Sequence, residues 1–198
     1  MSKNKKINIV ISGVGGQGLI TLGNILARAA FLEGKDIKMS ELHGLSQRGG
    51  SVAVQIRFGK KIYSPLISVQ EADLVIAMER NEALKSCLFG DKAKTIFLIN
   101  DNSIFSPAFG DKKLDSFEVI KNKILPFAKK IYSINATDIT TEKFDMPVLA
   151  GIYMLGCAIS KGFIPLKPEN VLKAIEDIVP RGIEDNKKAF NLAKQSLI

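Results

Sequence analysis

The chain has 198 residues, 46% of them hydrophobic, which excludes a disordered protein and sets one domain, or one with a small helical appendage, as the expectation. The formal net charge of +8 comes from 23 Lys and 5 Arg scattered along the sequence, so it reads as a lysine-rich solvated surface that favours anionic ligands or an acidic partner. Trp is absent and aromatics make up 7%, which argues against base stacking and against a nucleic-acid partner.

Two cysteines and one histidine bound the metal chemistry. A cubane iron–sulfur cluster takes four thiolates and a structural zinc site four ligands, so this chain supplies neither alone. Cys157 lies in an apolar segment and is expected to be a buried thiol. The basic stretch 1–6 precedes a short apolar run rather than a signal sequence, and the apolar stretch 147–159 is too short to span a bilayer. A cytoplasmic protein with no membrane association is the expectation.

Taken in chain order, residues 6–12 read as a buried strand and 18–33 as a helix. A second strand is expected over 36–41 and a third over 52–58. Gly59-Lys60-Lys61 reads as a hairpin turn with 62–64 returning, an antiparallel insertion in an otherwise alternating strand–helix pattern. The near-continuous apolar run 73–78 predicts a strand covered on both faces. A helix over 80–89, a strand over 95–100, a helix from 115 to about 130 and a strand over 130–134 follow. The last third reads as helices over 148–160, 167–178 and 184–197. The whole is an α/β, Rossmann-like fold: a mostly parallel sheet with helices on both faces, an antiparallel hairpin and a helical C-terminal segment. It is read as one unit over 1–198, with an α/β core to residue 140 and a helical part from 141.

Two glycine-rich segments carry the candidate chemistry. Gly13-Val14-Gly15-Gly16-Gln17-Gly18 matches G-x-G-x-x-G between a strand and a helix, the context that gives the pattern meaning. Gly13 permits a sharp exit from the strand, Gly15 and Gly16 let backbone N–H groups approach a ligand, and Gly18 allows close packing where the helix begins. The helix N-terminus then offers N–H donors to a phosphate or carboxylate; a tight turn that only packs is the alternative. Gln17 is expected to project towards a ligand or partner, and its bulk speaks against an ordinary dinucleotide site. The second segment, Ser40 to Ser51, holds Glu41, His43, Ser46, Gln47, Arg48, Gly49 and Gly50. His43 can titrate near neutrality, with a purely structural role as the alternative. Arg48 can clamp a carboxylate or phosphate. The closeness of the two segments suggests one site built from two loops. Glu79-Arg80-Asn81-Glu82 follows a buried strand, at the sheet edge where α/β ligands bind or simply as a helix cap.

These segments, together with Ala72-Asp73-Leu74-Val75-Ile76-Ala77-Met78-Glu79, resemble the gamma-type domain of the 2-oxoacid:ferredoxin oxidoreductases over essentially the whole chain. The wording His43-Gly44-Leu45-Ser46-Gln47-Arg48-Gly49-Gly50 is most similar to small subunits of the family's indolepyruvate branch. The resemblance implies a subunit, inactive alone, of an enzyme that decarboxylates a 2-oxo acid oxidatively with coenzyme A. The products are an acyl-CoA, carbon dioxide and reduced ferredoxin. It also implies thiamine diphosphate and [4Fe–4S] clusters on a large (alpha) partner subunit, contact with ferredoxin through the complex, and CoA as co-substrate. Gly90-Asp91-Lys92 and Gly110-Asp111-Lys112 lack the Gly-Asp-Gly form of a thiamine diphosphate site, in keeping with that division. His43 and Arg48 are then the candidate catalytic residues, and the glycine turn, Glu41, Ser46, Gln47, Gly49 and Gly50 the candidate ligand contacts. A stand-alone nucleotide-binding oxidoreductase and a non-catalytic assembly module remain as alternatives.

Overall fold

The computed structural model describes residues 6–43, 50–103 and 115–195. Its centre is strand β1 (Ile7–Val14), buried along nearly its whole length. Helix α1 (Leu19–Leu32) leaves its end, and β2 (Asp36–His43) and β3 (Ser51–Gly59) follow. The rest of the sheet is β4 (Leu74–Ala77), β5 (Ile96–Asn100) and β6 (Lys130–Ile134), in the order β2-β3-β1-β4-β5-β6. β1, β4, β5 and β6 pair in parallel. β3 alone runs antiparallel to both of its neighbours, from Ile7↔Phe58 to Val14↔Ser51 against β1 and from Asp36↔Gly59 to His43↔Val52 against β2.

The two faces of the sheet bury alternate residues, as the pleat dictates. Ile9, Ile11, Leu74, Ile76 and Leu98 point to a layer made by α1, α5 (Ala150–Ser160), α6 (Pro168–Ile178) and α7 (Ile183–Leu192). Val10, Val75, Ala77, Phe97 and Ile99 point to a thinner layer made by the segment after β3, α2 (Arg80–Lys85) and α3 (Phe117–Ile124). The apolar run of β4 is therefore covered on both faces, as its sequence predicts. In α5 every residue from Ala150 to Ile159 is buried, so it serves as the hub of the helical layer.

Two expectations need correction. The antiparallel hairpin is present, but it joins β2 to β3; residues 62–64 form no strand. Side-chain anchors to β2 and β3 decide this. The Asp36 carboxylate accepts from the Ile62 amide at 2.7 Å, and Arg57 donates to the Ser64 and Leu66 carbonyls at 3.0 and 2.9 Å. The chain after Gly59 is thereby drawn across the sheet face towards β4. Helix α4 (Ala136–Phe144) is an addition. Its sequence is rich in β-branched Thr and Ile, which weakens the helical signal. The Thr140 hydroxyl donates to the Ala136 carbonyl at 2.9 Å, and the helix ends on Asp145 in the left-handed region at φ 54°.

Candidate functional site

The glycine turn sits at the C-terminal edge of the parallel strands, where open α/β sheets bind ligands. Gly16 and Gly18 have φ of 100° and 74°, a conformation that side chains strain to adopt. Gly13 is required for space: a Cβ there would lie 2.4 Å from Gln17 Oε1 and 3.0 Å from Met78 Cβ. Gly18 caps α1 in the left-handed region with no side-chain cap, and no acidic residue stands in the first turn. The positive end of the helix is thus left uncompensated and facing outward, which suits an anion.

Two of the sequence-predicted contacts turn inward. The Gly15 amide, expected to approach a ligand, donates to the Gly50 carbonyl at 2.9 Å. Gln17, expected to project, folds back: Oε1 accepts from the Val14 amide at 2.8 Å and Nε2 donates to the Met78 carbonyl at 3.1 Å. The turn is therefore self-supporting, leaving its open side to Gly16, Gly18 and the first turn of α1.

The Gly15–Gly50 bond also brings the two glycine-rich segments together, as their spacing suggests. Ser51, the first residue of β3, donates to the Glu82 carboxylate at 2.5 Å, and Lys85 pairs with the same carboxylate at 2.6 Å. Glu79 caps α2, accepting from the amides of Asn81 and Glu82 at 2.7 and 3.0 Å. Asn100, fully buried at the end of β5, donates to the Met78 carbonyl at 3.2 Å and to the Thr137 hydroxyl at 2.8 Å. Arg80 pairs with Asp101 at 3.1 Å on the same edge. Glu41 lies within β2 opposite Val54, and His43 ends that strand opposite Val52. The expected contacts Ser46, Gln47, Arg48 and Gly49 lie outside the described residues.

Beside the turn opens a cleft of about 180 Å³, with Gln17, Gly18 and Thr21 on one side and Met146, Val148 and Arg181 among the residues opposite. Its lining combines apolar surface, the first turn of α1 and one cation, Arg181. Arg181 is a residue that sequence reasoning missed. Pro180-Arg181-Gly182 reads locally as a helix separator, and only the packing of α7 brings it to the wall of this cleft. A wider surface depression of about 630 Å³ shares Arg181 but is otherwise lined by α6–α7 residues such as Glu176 and Lys187, which pair with each other.

Cys87 and Cys157 are both buried and form no disulfide. They belong to opposite faces of the sheet, Cys87 to the thin layer and Cys157 to the helical layer, so the two cannot ligate one cluster. Burial pushes the Cys87 thiol up to about 11. Among the described residues no group of three or more His, Cys, Asp or Glu is placed to hold a metal ion, and no helix is long and apolar enough to cross a membrane.

Comparison with known proteins decides the family. The model of the pyruvate ferredoxin/flavodoxin oxidoreductase family matches residues 8–196. The chain belongs to that family. Indolepyruvate oxidoreductase subunit IorB of Archaeoglobus fulgidus is 33% identical to this oxidoreductase subunit over 196 residues, covering 98% of this chain and 96% of its own. The Pyrococcus horikoshii protein of the same name is 32% identical, covering 95% and 94%. The gamma subunit common to pyruvate and ketoisovalerate oxidoreductases of Pyrococcus furiosus is 30% identical over 86% of this chain and 85% of its own. Among solved structures, the pyruvate oxidoreductase subunit PORC of Thermotoga maritima has the same fold, with a TM-score of 0.71 at 21% identity and 97% of each chain covered. A 2-oxoglutarate:ferredoxin oxidoreductase from Magnetococcus marinus, solved with 2-oxoglutarate, coenzyme A and succinyl-CoA bound, matches with a TM-score of 0.72 at 16% identity. The match covers 96% of this oxidoreductase subunit and 30% of that chain.

Proposed function

We propose that this chain is the cofactor-free subunit of an indolepyruvate-type 2-oxoacid:ferredoxin oxidoreductase. The assembled enzyme breaks the bond between the carboxylate and the keto carbon of an aryl pyruvate, releases carbon dioxide and joins the acyl group to the CoA sulfur. The two electrons freed pass to ferredoxin. The residues present do not fit the redox and carbanion chemistry: two cysteines on opposite faces of the sheet cannot carry a [4Fe–4S] cluster. Thiamine diphosphate and the clusters belong on the large subunit, and this chain completes a binding pocket there.

The observation that carries the reading is the joining of the glycine turn to the second segment, through Gly15 and Gly50, beside a cleft with an uncapped helix N-terminus and Arg181. Such a surface suits the phosphates of CoA or the carboxylate of the oxo acid. Arg48 and His43 stand on the segment that continues from Gly50 and β2, and are assigned to the same pocket. Exposed Leu66, Val69 and Leu88 on the thin layer support packing against the large subunit.

The test is to express the tagged chain with its genomic neighbours and assay aryl-pyruvate- and CoA-dependent reduction of a viologen dye. Recovery of an iron–sulfur partner, with activity lost when this chain is omitted, supports the reading. A chain that purifies alone with bound nucleotide overturns it in favour of a stand-alone enzyme. Full activity after Arg48→Ala and His43→Ala overturns the pocket assignment and leaves an assembly module.

A further inference from the structure

Glu82 is 4% exposed, and α2 does not need it as a cap, because Glu79 holds that position. A buried carboxylate is costly to desolvate, and an apolar residue would serve packing as well or better. What the carboxylate does is specific: it accepts the Ser51 hydroxyl at 2.5 Å and pairs with Lys85 at 2.6 Å. Ser51 follows Gly50, whose carbonyl receives the Gly15 amide, and Ser51 also lies opposite Val14 in the β1–β3 register. A second contact reaches β1 directly, from the Ser12 hydroxyl to the Glu82 carbonyl at 3.4 Å. The glycine turn is thus held from two sides, through Gln17 to the end of β4 and through Gly50 and Ser51 to α2.

We propose that Glu82, acting through Ser51, is a positioning residue for the glycine turn, fixing where Gly16, Gly18 and the α1 N-terminus stand relative to a bound anion. This rests on the pocket reading above. Glu82 does not touch the ligand; it fixes the geometry of the groups that do. Sub-ångström placement of donors governs binding of a charged ligand, so loosening the clamp acts on affinity more than on turnover.

The test uses the assembled enzyme carrying Glu82→Gln, Ser51→Ala or Ser51→Thr, with Gly16→Ala as a direct perturbation of the turn. Ser51→Ala is expected to raise KM for the anion that the cleft holds, CoA or the aryl pyruvate, about tenfold, the loss of one charge-assisted hydrogen bond, and Glu82→Gln, whose amide oxygen still accepts from Ser51, by less, with kcat within about twofold in both. Ser51→Thr keeps the hydroxyl and is expected to restore KM. The double variant Ser51→Ala/Glu82→Gln is expected to be no worse than Ser51→Ala alone, because the link is already broken there. If Gly16→Ala raises KM while Glu82→Gln and Ser51→Ala do not, the positioning role is overturned and the pocket stands. If none of them moves KM for CoA or for the aryl pyruvate, both fall. Amide exchange in the full chain gives an answer independent of activity: Gly15 is expected to lose protection in Glu82→Gln and Ser51→Ala but not in Ser51→Thr. Unchanged Gly15 protection overturns the proposal.

Discussion

The side-chain amide of Gln17 spans from the Val14 backbone N–H to the Met78 carbonyl, tying the turn after β1 to the end of β4 at 2.8 and 3.1 Å. Met78 in turn donates its own amide to the Ser12 carbonyl at 2.7 Å and receives Asn100 Nδ2 at 3.2 Å. One residue that would ordinarily advertise itself as a ligand contact is consumed in holding the ends of β1 and β4 together, and Asn100 ties the end of β5 to the same carbonyl. Gln17→Ala leaves the Val14 amide and part of the Met78 carbonyl without partners. Removing one side of a part-buried hydrogen bond costs about 1–2 kcal/mol. Urea unfolding of Gln17→Ala should show a lower midpoint with unchanged slope. An unchanged midpoint would mean that the side chain is free to serve a ligand after all.

How far the sequence reached follows from the range of the interactions involved. β1, the glycine turn and α1 were legible because a period of two, a run of glycines and a period of 3.6 succeed one another within a few residues. β4 was legible because its apolar run admits no solvent face. The pairing of β3 was not, because Gly59-Lys60-Lys61 carries a local turn signal while Asp36 of β2 and Arg57 of β3 hold residues 62–66 away from a returning strand. The direction of Gln17, the Ser51–Glu82 link and the arrival of Arg181 at the cleft all depend on residues distant in sequence. Which groups of the glycine turn face outward was not legible either.

Glu33 gives the fold a defined acid sensitivity. Partial burial alone would raise its pKa, but the Lys167 amide at 2.6 Å, Lys35 at 2.8 Å and Asn170 at 3.3 Å outweigh this and hold it below its ordinary value of 4.5. A carboxylate with a depressed folded-state pKa contributes stability that is present above its unfolded value and lost as pH falls through the folded one. Glu33→Gln should therefore lower stability near neutral pH by about 1 kcal/mol, discounted for the solvent screening that still reaches a partly buried carboxylate at the edge of the fold. The gap between wild type and variant should close as pH falls below 4.5. A gap independent of pH would show that packing, not charge, holds α6 to the end of α1.

The Cys87 thiol is raised from 9.0 to about 11 by desolvation in the thin layer. The thiolate is the reactive form, so a shift of that size lowers its population at neutral pH about a hundredfold. Iodoacetamide should label Cys87 in the native chain at least about a hundredfold more slowly than in the urea-unfolded chain, with mass spectrometry locating the adduct. Fast native labelling at Cys87 would mean that the layer over β4 and β5 opens readily.

Two glycines of α5 separate close packing from mere smallness. A Cβ at Gly156 would lie 2.5 Å from the Phe190 carbonyl oxygen and 2.7 Å from Ala193 Cβ. Neither neighbour can swing aside, because one is the backbone of α7 and the other a methyl fixed to the main chain. A Cβ at Gly151 would lie 2.7 Å from Leu22 Cδ1, the tip of a side chain that can change rotamer. Helix propensity favours alanine at both positions by about 1 kcal/mol. At Gly156 the forced separation of α5 from α7 should exceed that gain, leaving Gly156→Ala destabilised by about 1–3 kcal/mol. At Gly151 the two effects should nearly cancel, within about 0.5 kcal/mol. Denaturant midpoints of the two variants, measured side by side, decide the matter. Equal losses would show that α5 is limited by the space around Leu22 as much as by its contact with α7, and equal gains that the helical layer yields at both points.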